Sequence, residues 1–156
     1  MCSSDEQVAL PIYERAGVVT LSGSATDPLN PTLGPQVFNS VDVPDDTSGE
    51  SNAWYAIVQT LPSDIQWRMK YKQKFGSQPD QFADLYFDAA SIMLDEIAAT
   101  ATVEHGNLVI DRASLAGAVR SPAENEEEGF KGVTGAITFD DRGYRLNDPT
   151  SLKECA

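Results

Sequence analysis

The feature that most constrains this chain is a long apolar pattern with helical spacing in residues 79–99. Its apolar side chains recur every three or four positions, which places them along one face of an α-helix. Pro79 suits the first turn of such a helix. A helix of this length must bury its apolar face against a second layer. The apolar residues are Phe82, Leu85, Tyr86, Ala89, Ala90, Met93, Leu94 and Ile97.

Three shorter segments also carry helix patterns, and their ends are marked by residues that start or stop helices. Asp111 can cap a helix at its N-terminus, whereas Gly17 and Gly76 are suited to the residue after a helix. Pro11 lies inside the first segment and predicts a kink there. The predicted helices are residues 5–16, 64–75 and 112–120. In residues 64–75 the aromatic stripe predicted to enter the core is Trp67, Tyr71 and Phe75.

Short apolar runs of strand type alternate with these helices. They occur at Val18 to Leu21, Val37 to Val41 and Gly135 to Phe139, and His105-Gly106-Asn107 and Asp140 to Gly143 are turn signals. Residues 42–53 and 123–129 are polar and acidic, which is typical of exposed loops. Helices alternating with short strands predict an α/β layered domain.

Composition excludes several functions. The net charge is −13, with 24 acidic against 11 basic residues, which weighs against binding to nucleic acid or to an anionic membrane surface. No apolar run is long enough for a membrane span. Asp42, Asp45 and Asp46 do not have the spacing of a calcium loop, and no Cys/His cluster predicts zinc. Cys2 and Cys155 either pair with each other or have each lost a partner.

Catalysis has little support in the sequence. His105 is the only histidine, and it lies in a predicted turn without a nucleophile motif nearby. Ser22-Gly23-Ser24 lacks the pattern of a nucleophile elbow, and the adjacent Asp140 and Asp141 are explained by a hairpin turn. No phosphate loop or dinucleotide fingerprint is present. We therefore expect a protein that is not an enzyme and needs no cofactor or metal.

Five segments share motifs with one known family. They are Cys2-Ser3-Ser4 with Ile12 to Val18, Leu21 to Pro28, Tyr71 to Gly76 with Pro79-Asp80, Tyr86 to Ala90, and Phe130 to Asp140 with Gly143. In this order they resemble the Leu/Ile/Val-binding family, which has the type I periplasmic binding-protein fold. The resemblance covers about residues 1–46 and 55–146.

The resemblance implies a truncated, three-layer Rossmann-like (flavodoxin-like) lobe. Full-length relatives have two lobes, and the second lobe would fall between Asp46 and Trp54, where only a polar junction at residues 47–54 is present. We expect one α/β domain over residues 1–156, with residues 147–156 as a C-terminal tail. The implied function is extracytoplasmic capture of a small aliphatic amino acid for the membrane subunits of an ABC importer, in the periplasm or outside the cell. A lipid anchor on the full-length protein is left open.

The resemblance also implies a ligand site. Ser3, with Ser4 as its fallback, matches the family's carboxylate-binding serine before a helix, where unpaired N–H groups favour an anion. Thr26 would bind the same carboxylate through its hydroxyl and its backbone N–H. Ser24 would offer its backbone carbonyl to the ammonium group, and Ala25 lies between them. The alternative is that Ser3 or Ser4 only caps the helix and that Ser24 to Thr26 only form a turn.

A second class of function is an interaction module that binds no amino acid. A truncated lobe exposes sheet edges and apolar faces, which favour a homo-oligomer or a domain-swapped dimer. Dimerisation without amino-acid binding distinguishes this function from that of a receptor.

Overall fold

The computed structural model describes residues 3–23, 37–39, 54–59, 64–120, 129–140, 143–146 and 150–155. Its helices are α1 (Ser3–Arg15), α2 (Ile65–Phe75), α3 (Ala83–Thr100) and α4 (Arg112–Arg120). Its strands are β1 (Thr20–Ser22), β2 (Val37–Asn39), β3 (Trp54–Gln59), β4 (Thr102–Glu104), β5 (Asn107–Val109), β6 (Phe130–Gly132), β7 (Gly135–Ile137) and β8 (Thr150–Cys155). Of the predicted loops at residues 42–53 and 123–129, all but Gly129 lies outside the described residues.

The first helix ends at the glycine that the sequence indicates. Gly17 has a positive φ of 67°, a conformation that glycine adopts without strain. The N–H of Gly17 donates to the Glu14 carbonyl at 3.0 Å, and the N–H of Val18 donates to the Tyr13 carbonyl at 2.9 Å. This pair of bonds is a Schellman motif, and it reverses the chain from α1 into β1.

The described strands form four two-stranded sheets. The pair β1–β2 is parallel, with Leu21 opposite Phe38, whereas β3–β8, β4–β5 and β6–β7 are antiparallel. A single bridge joins Phe139 to Arg145. The hairpin between β4 and β5 turns through His105 and Gly106, which both have positive φ, as a tight two-residue turn requires.

The predicted α/β fold class is confirmed, because helices and strands alternate along the described chain. The core lies where α3 and α4 pack together and meet β1 and the β6–β7 hairpin. Leucine, isoleucine, valine, methionine and phenylalanine fill it, and partly buried residues close its edge. The buried core residues are Val19, Ile92, Leu115, Ala116, Val119, Ile137 and Phe139, and those at its edge are Leu21, Met93, Ile97 and Phe130.

Two details of the helix prediction are wrong. The long helix begins at Ala83, not at Pro79, because Phe82 before it adopts a left-handed conformation with φ of 65°. The aromatic stripe of α2 does not enter the core, since no residue of α2 is buried. Trp67 instead stacks on Phe87 of α3, with ring centroids 5.4 Å apart, and Phe75 is 59% exposed.

Candidate functional site

The structure describes some of the predicted ligand-binding residues and not others. Ser3 and Ser4 are the first two residues of α1, so their backbone lies at the N-terminus of that helix. Ser24, Ala25 and Thr26 lie outside the described residues. The chain enters that segment from Ser22, the last residue of β1, through Gly23.

The carboxyl end of β1 has the features of a ligand-binding edge. Because β1 and β2 are parallel, Ser22 and its partner Asn39 end their strands at the same edge. In open α/β sheets, ligands bind beyond the carboxyl ends of parallel strands. Ser22 is itself buried, which places the start of the predicted segment next to packed structure.

A small pocket opens beside this strand. Its volume is about 140 Å³, and it lies between α1, β1 and α3. None of the described residues that line it is charged. The lining residues are Ala9, Leu10, Tyr13, Thr20, Leu21, Ser22 and Tyr86.

Tyr86 fixes the end of β1 against α3. A Cβ added to Gly23 would lie 2.9 Å from Cδ1 of the Tyr86 ring and 3.1 Å from the Tyr86 backbone nitrogen. Real Cβ atoms essentially never show the first distance, and the second is tighter than nine in ten real contacts, so this close approach favours glycine at position 23. The structure thereby brings Gly23, in one of the five segments that carry the family resemblance, against Tyr86, in another.

Three buried side-chain oxygens have no hydrogen-bond partner among the described residues. They belong to Glu14 (Oε2), Thr20 (Oγ1) and Thr138 (Oγ1). Only Thr20 lines the pocket. A buried hydroxyl without a partner costs free energy relative to a methyl group of the same shape, so Thr20 is a local weak point of β1.

The polar network around Asp88 has no counterpart among the residues predicted from the sequence. This aspartate is buried on α3. Its carboxylate accepts hydrogen bonds from the backbone N–H of Val133 at 2.7 Å, from the N–H of Thr134 at 2.9 Å and from the Thr134 hydroxyl at 2.6 Å. These partners satisfy the carboxylate and hold the β6–β7 turn against α3. Asp88 is therefore a structural residue in this arrangement.

Arg145 extends the network on its other side. It is 2% exposed, and its Nη1 donates to the Thr134 hydroxyl at 2.8 Å. Its Nη2 donates to the backbone carbonyls of Thr134 at 3.1 Å and Ala136 at 2.9 Å. The guanidinium is always charged. The interior therefore contains its positive charge as well as the carboxylate of Asp88. In the sequence, Arg145 directly follows Tyr144 in a strand-like segment. That position does not indicate that the arginine is buried, which only the fold shows.

The described residues contain no group of three or more His, Cys, Asp or Glu side chains that could hold a metal ion. Within the same residues, no helix has the length and apolar character that a membrane span requires. At the cap of α4, hydrogen bonds from the Ser114 side chain and backbone lower the pKa of Asp111. That group is on the surface and distant in sequence from the predicted site.

Comparison with solved structures finds substrate-binding proteins. A leucine-binding protein from Thermotoga maritima has 19% identity and a TM-score of 0.42, and the match covers 99% of this chain and 41% of that one. An ABC transporter substrate-binding protein from Desulfitobacterium hafniense in complex with leucine has 16% identity and a TM-score of 0.43, with 99% and 46% covered. A second structure of such a protein from the same organism has 18% identity and a TM-score of 0.44, with the same coverage. This chain thus spans less than half of each matched structure. No protein-family model and no curated protein matches it.

Proposed function

We propose that this chain is a lobe of a type I periplasmic binding protein that captures a small aliphatic amino acid without chemical conversion. The ligand's α-carboxylate binds at the N-terminus of α1 and at Thr26, and its ammonium group binds the backbone carbonyl of Ser24. The observation that carries the proposal is the parallel pair β1–β2, whose carboxyl edge leads directly into Ser24.

The dimensions of the described elements are compatible with one site. The shared pocket places Ser22 beside the part of α1 near Ala9. From Ala9 back to Ser3 the helix spans ~9 Å, and an extended chain from Ser22 to Thr26 reaches at most ~14 Å. These lengths permit Thr26 to reach the N-terminus of α1, as the proposal requires. The positive end of the helix dipole favours that anion without a full countercharge.

In this proposal the protein acts outside the cytoplasm and delivers its ligand to the membrane subunits of an ABC importer. The sequence motifs of residues 1–46 and 55–146 support this role. Affinity of the isolated chain is expected to be low, because one lobe buries less of the ligand than a closed pair of lobes.

The test is isothermal titration calorimetry of the chain with leucine, isoleucine, valine, alanine and glycine. We expect saturable heat at millimolar ligand that Thr26→Ala abolishes or weakens by at least about tenfold, since a hydrogen bond to a charged group is lost. Thr102→Ala is the matched control, because Thr102 is exposed on β4. Equal affinities of Thr26→Ala and the unmodified chain would contradict the proposed site.

A second candidate function is a self-association module, and the surface of α2 favours it. Ile65 and Met69 are 69% and 61% exposed. The same helix carries no acidic residue and four basic ones, Arg68, Lys70, Lys72 and Lys74. A second copy of a chain with net charge −13 offers the complementary charge.

Sedimentation equilibrium at low and high salt tests this alternative. A dimer that dissociates on Met69→Glu or in 1 M salt, with no amino-acid heat, would favour self-association. Val103→Glu is the control, because Val103 is equally exposed but lies on the β4–β5 hairpin. A monomer at all concentrations would contradict it.

A further inference from the structure

We draw no further inference here: the strongest candidate, the exposed apolar surface that Val103 and Leu108 form on the β4–β5 hairpin, carries none, because nothing in the structure shows what covers it.

Discussion

The Thr134 hydroxyl donates a hydrogen bond to the carboxylate of Asp88 at 2.6 Å and accepts one from Nη1 of Arg145 at 2.8 Å. One hydroxyl thus connects a buried carboxylate on α3 with a buried guanidinium beyond the β6–β7 hairpin. All three residues are less than 5% exposed. The relationship connects two segments of the family resemblance, Tyr86 to Ala90 and Phe130 to Asp140, because it holds the β6–β7 turn against α3.

Asp88→Ala should destabilise the fold strongly. The substitution removes three hydrogen bonds to a buried carboxylate, including those from the backbone N–H groups of Val133 and Thr134. Hydrogen bonds to charged groups contribute about 1.5–3 kcal/mol each, so we expect a loss of at least ~3 kcal/mol in the free energy of unfolding, measured with urea. Asp95→Ala on the exposed side of the same helix should change it by less than ~0.5 kcal/mol. Similar losses for both variants would contradict the network.

Gly132→Ala should be destabilising for a steric reason. The added Cβ would lie 2.5 Å from Cγ of Asp88, and crowding of a packed interior typically costs ~1–3 kcal/mol. Gly117→Ala is the control, because nothing lies within 4 Å of its Cβ position and it is inside α4, where alanine is favoured over glycine by ~1 kcal/mol. Thermal unfolding should therefore shift in opposite directions for the two variants. A rise in Tm for Gly132→Ala would show that the turn at Val133 is not held as described.

Thr20→Val should stabilise the chain. It replaces an unpartnered buried hydroxyl with a methyl group in a β-branched side chain of nearly equal shape, and the gain is on the order of 1 kcal/mol. Thr100→Val makes the same exchange where the hydroxyl donates to the Glu96 carbonyl at 2.6 Å, so it should be neutral or destabilising. Urea unfolding of both variants measures the difference. A lower stability of Thr20→Val would indicate a partner for the hydroxyl that the described residues do not include.

The stability contributed by Asp111 should depend on pH. The Ser114 hydroxyl, and after it the Ser114 backbone N–H, lower the pKa of Asp111 below the usual 3.8. Because the folded-state pKa is the lower one, the contribution is fully present above the unfolded-state pKa and is lost as the pH falls through the folded-state pKa. Carboxyl-carbon NMR of Ser114→Ala should show a pKa for Asp111 closer to 3.8. An unchanged pKa in that variant would contradict the role of Ser114.

Local signals in the sequence predicted much of the secondary structure. Gly17 ends α1, Asp111 accepts from the Ser114 N–H at the start of α4, and Asp64 caps α2 through the Gln66 N–H. Each of these helix ends depends on residues within four positions of one another. A local sequence pattern therefore contains all the residues involved. The helices predicted at residues 5–16, 64–75 and 112–120 are therefore confirmed to within two residues.

Long-range relationships could not be predicted in the same way. The apolar pattern predicts which face of α3 is buried, but it assigns no role to Asp88. The hydrogen-bond partners of Asp88 are 45 and 46 residues away. The strand β8 falls in the predicted C-terminal tail, and it pairs with β3, more than ninety positions earlier, at Cys155 opposite Trp54. The aromatic stripe of α2 has helical spacing, but spacing shows only that residues share a face. Whether that face meets the core depends on neighbours that the pattern does not specify.

The predicted site likewise has one part that lies near a locally predicted helix and another that depends on long-range packing. Ser3 and Ser4 lie at the start of α1, just before the helix that the local pattern predicts at residues 5–16, whereas the pocket depends on the approach of Tyr86 to Gly23. The roles of Ser24, Ala25 and Thr26 stay predictions from the family resemblance. The pairing of Cys2 with Cys155 also stays open, because Cys2 lies outside the described residues.

The most direct test of the account is calorimetric titration of the chain with leucine and with leucinamide, in which a neutral amide replaces the carboxylate. The account places an anion at the N-terminus of α1 and at Thr26, so it predicts saturable heat with leucine and at least about tenfold weaker binding of leucinamide. Equal or tighter binding of leucinamide, or no heat with leucine from the folded chain, would contradict it.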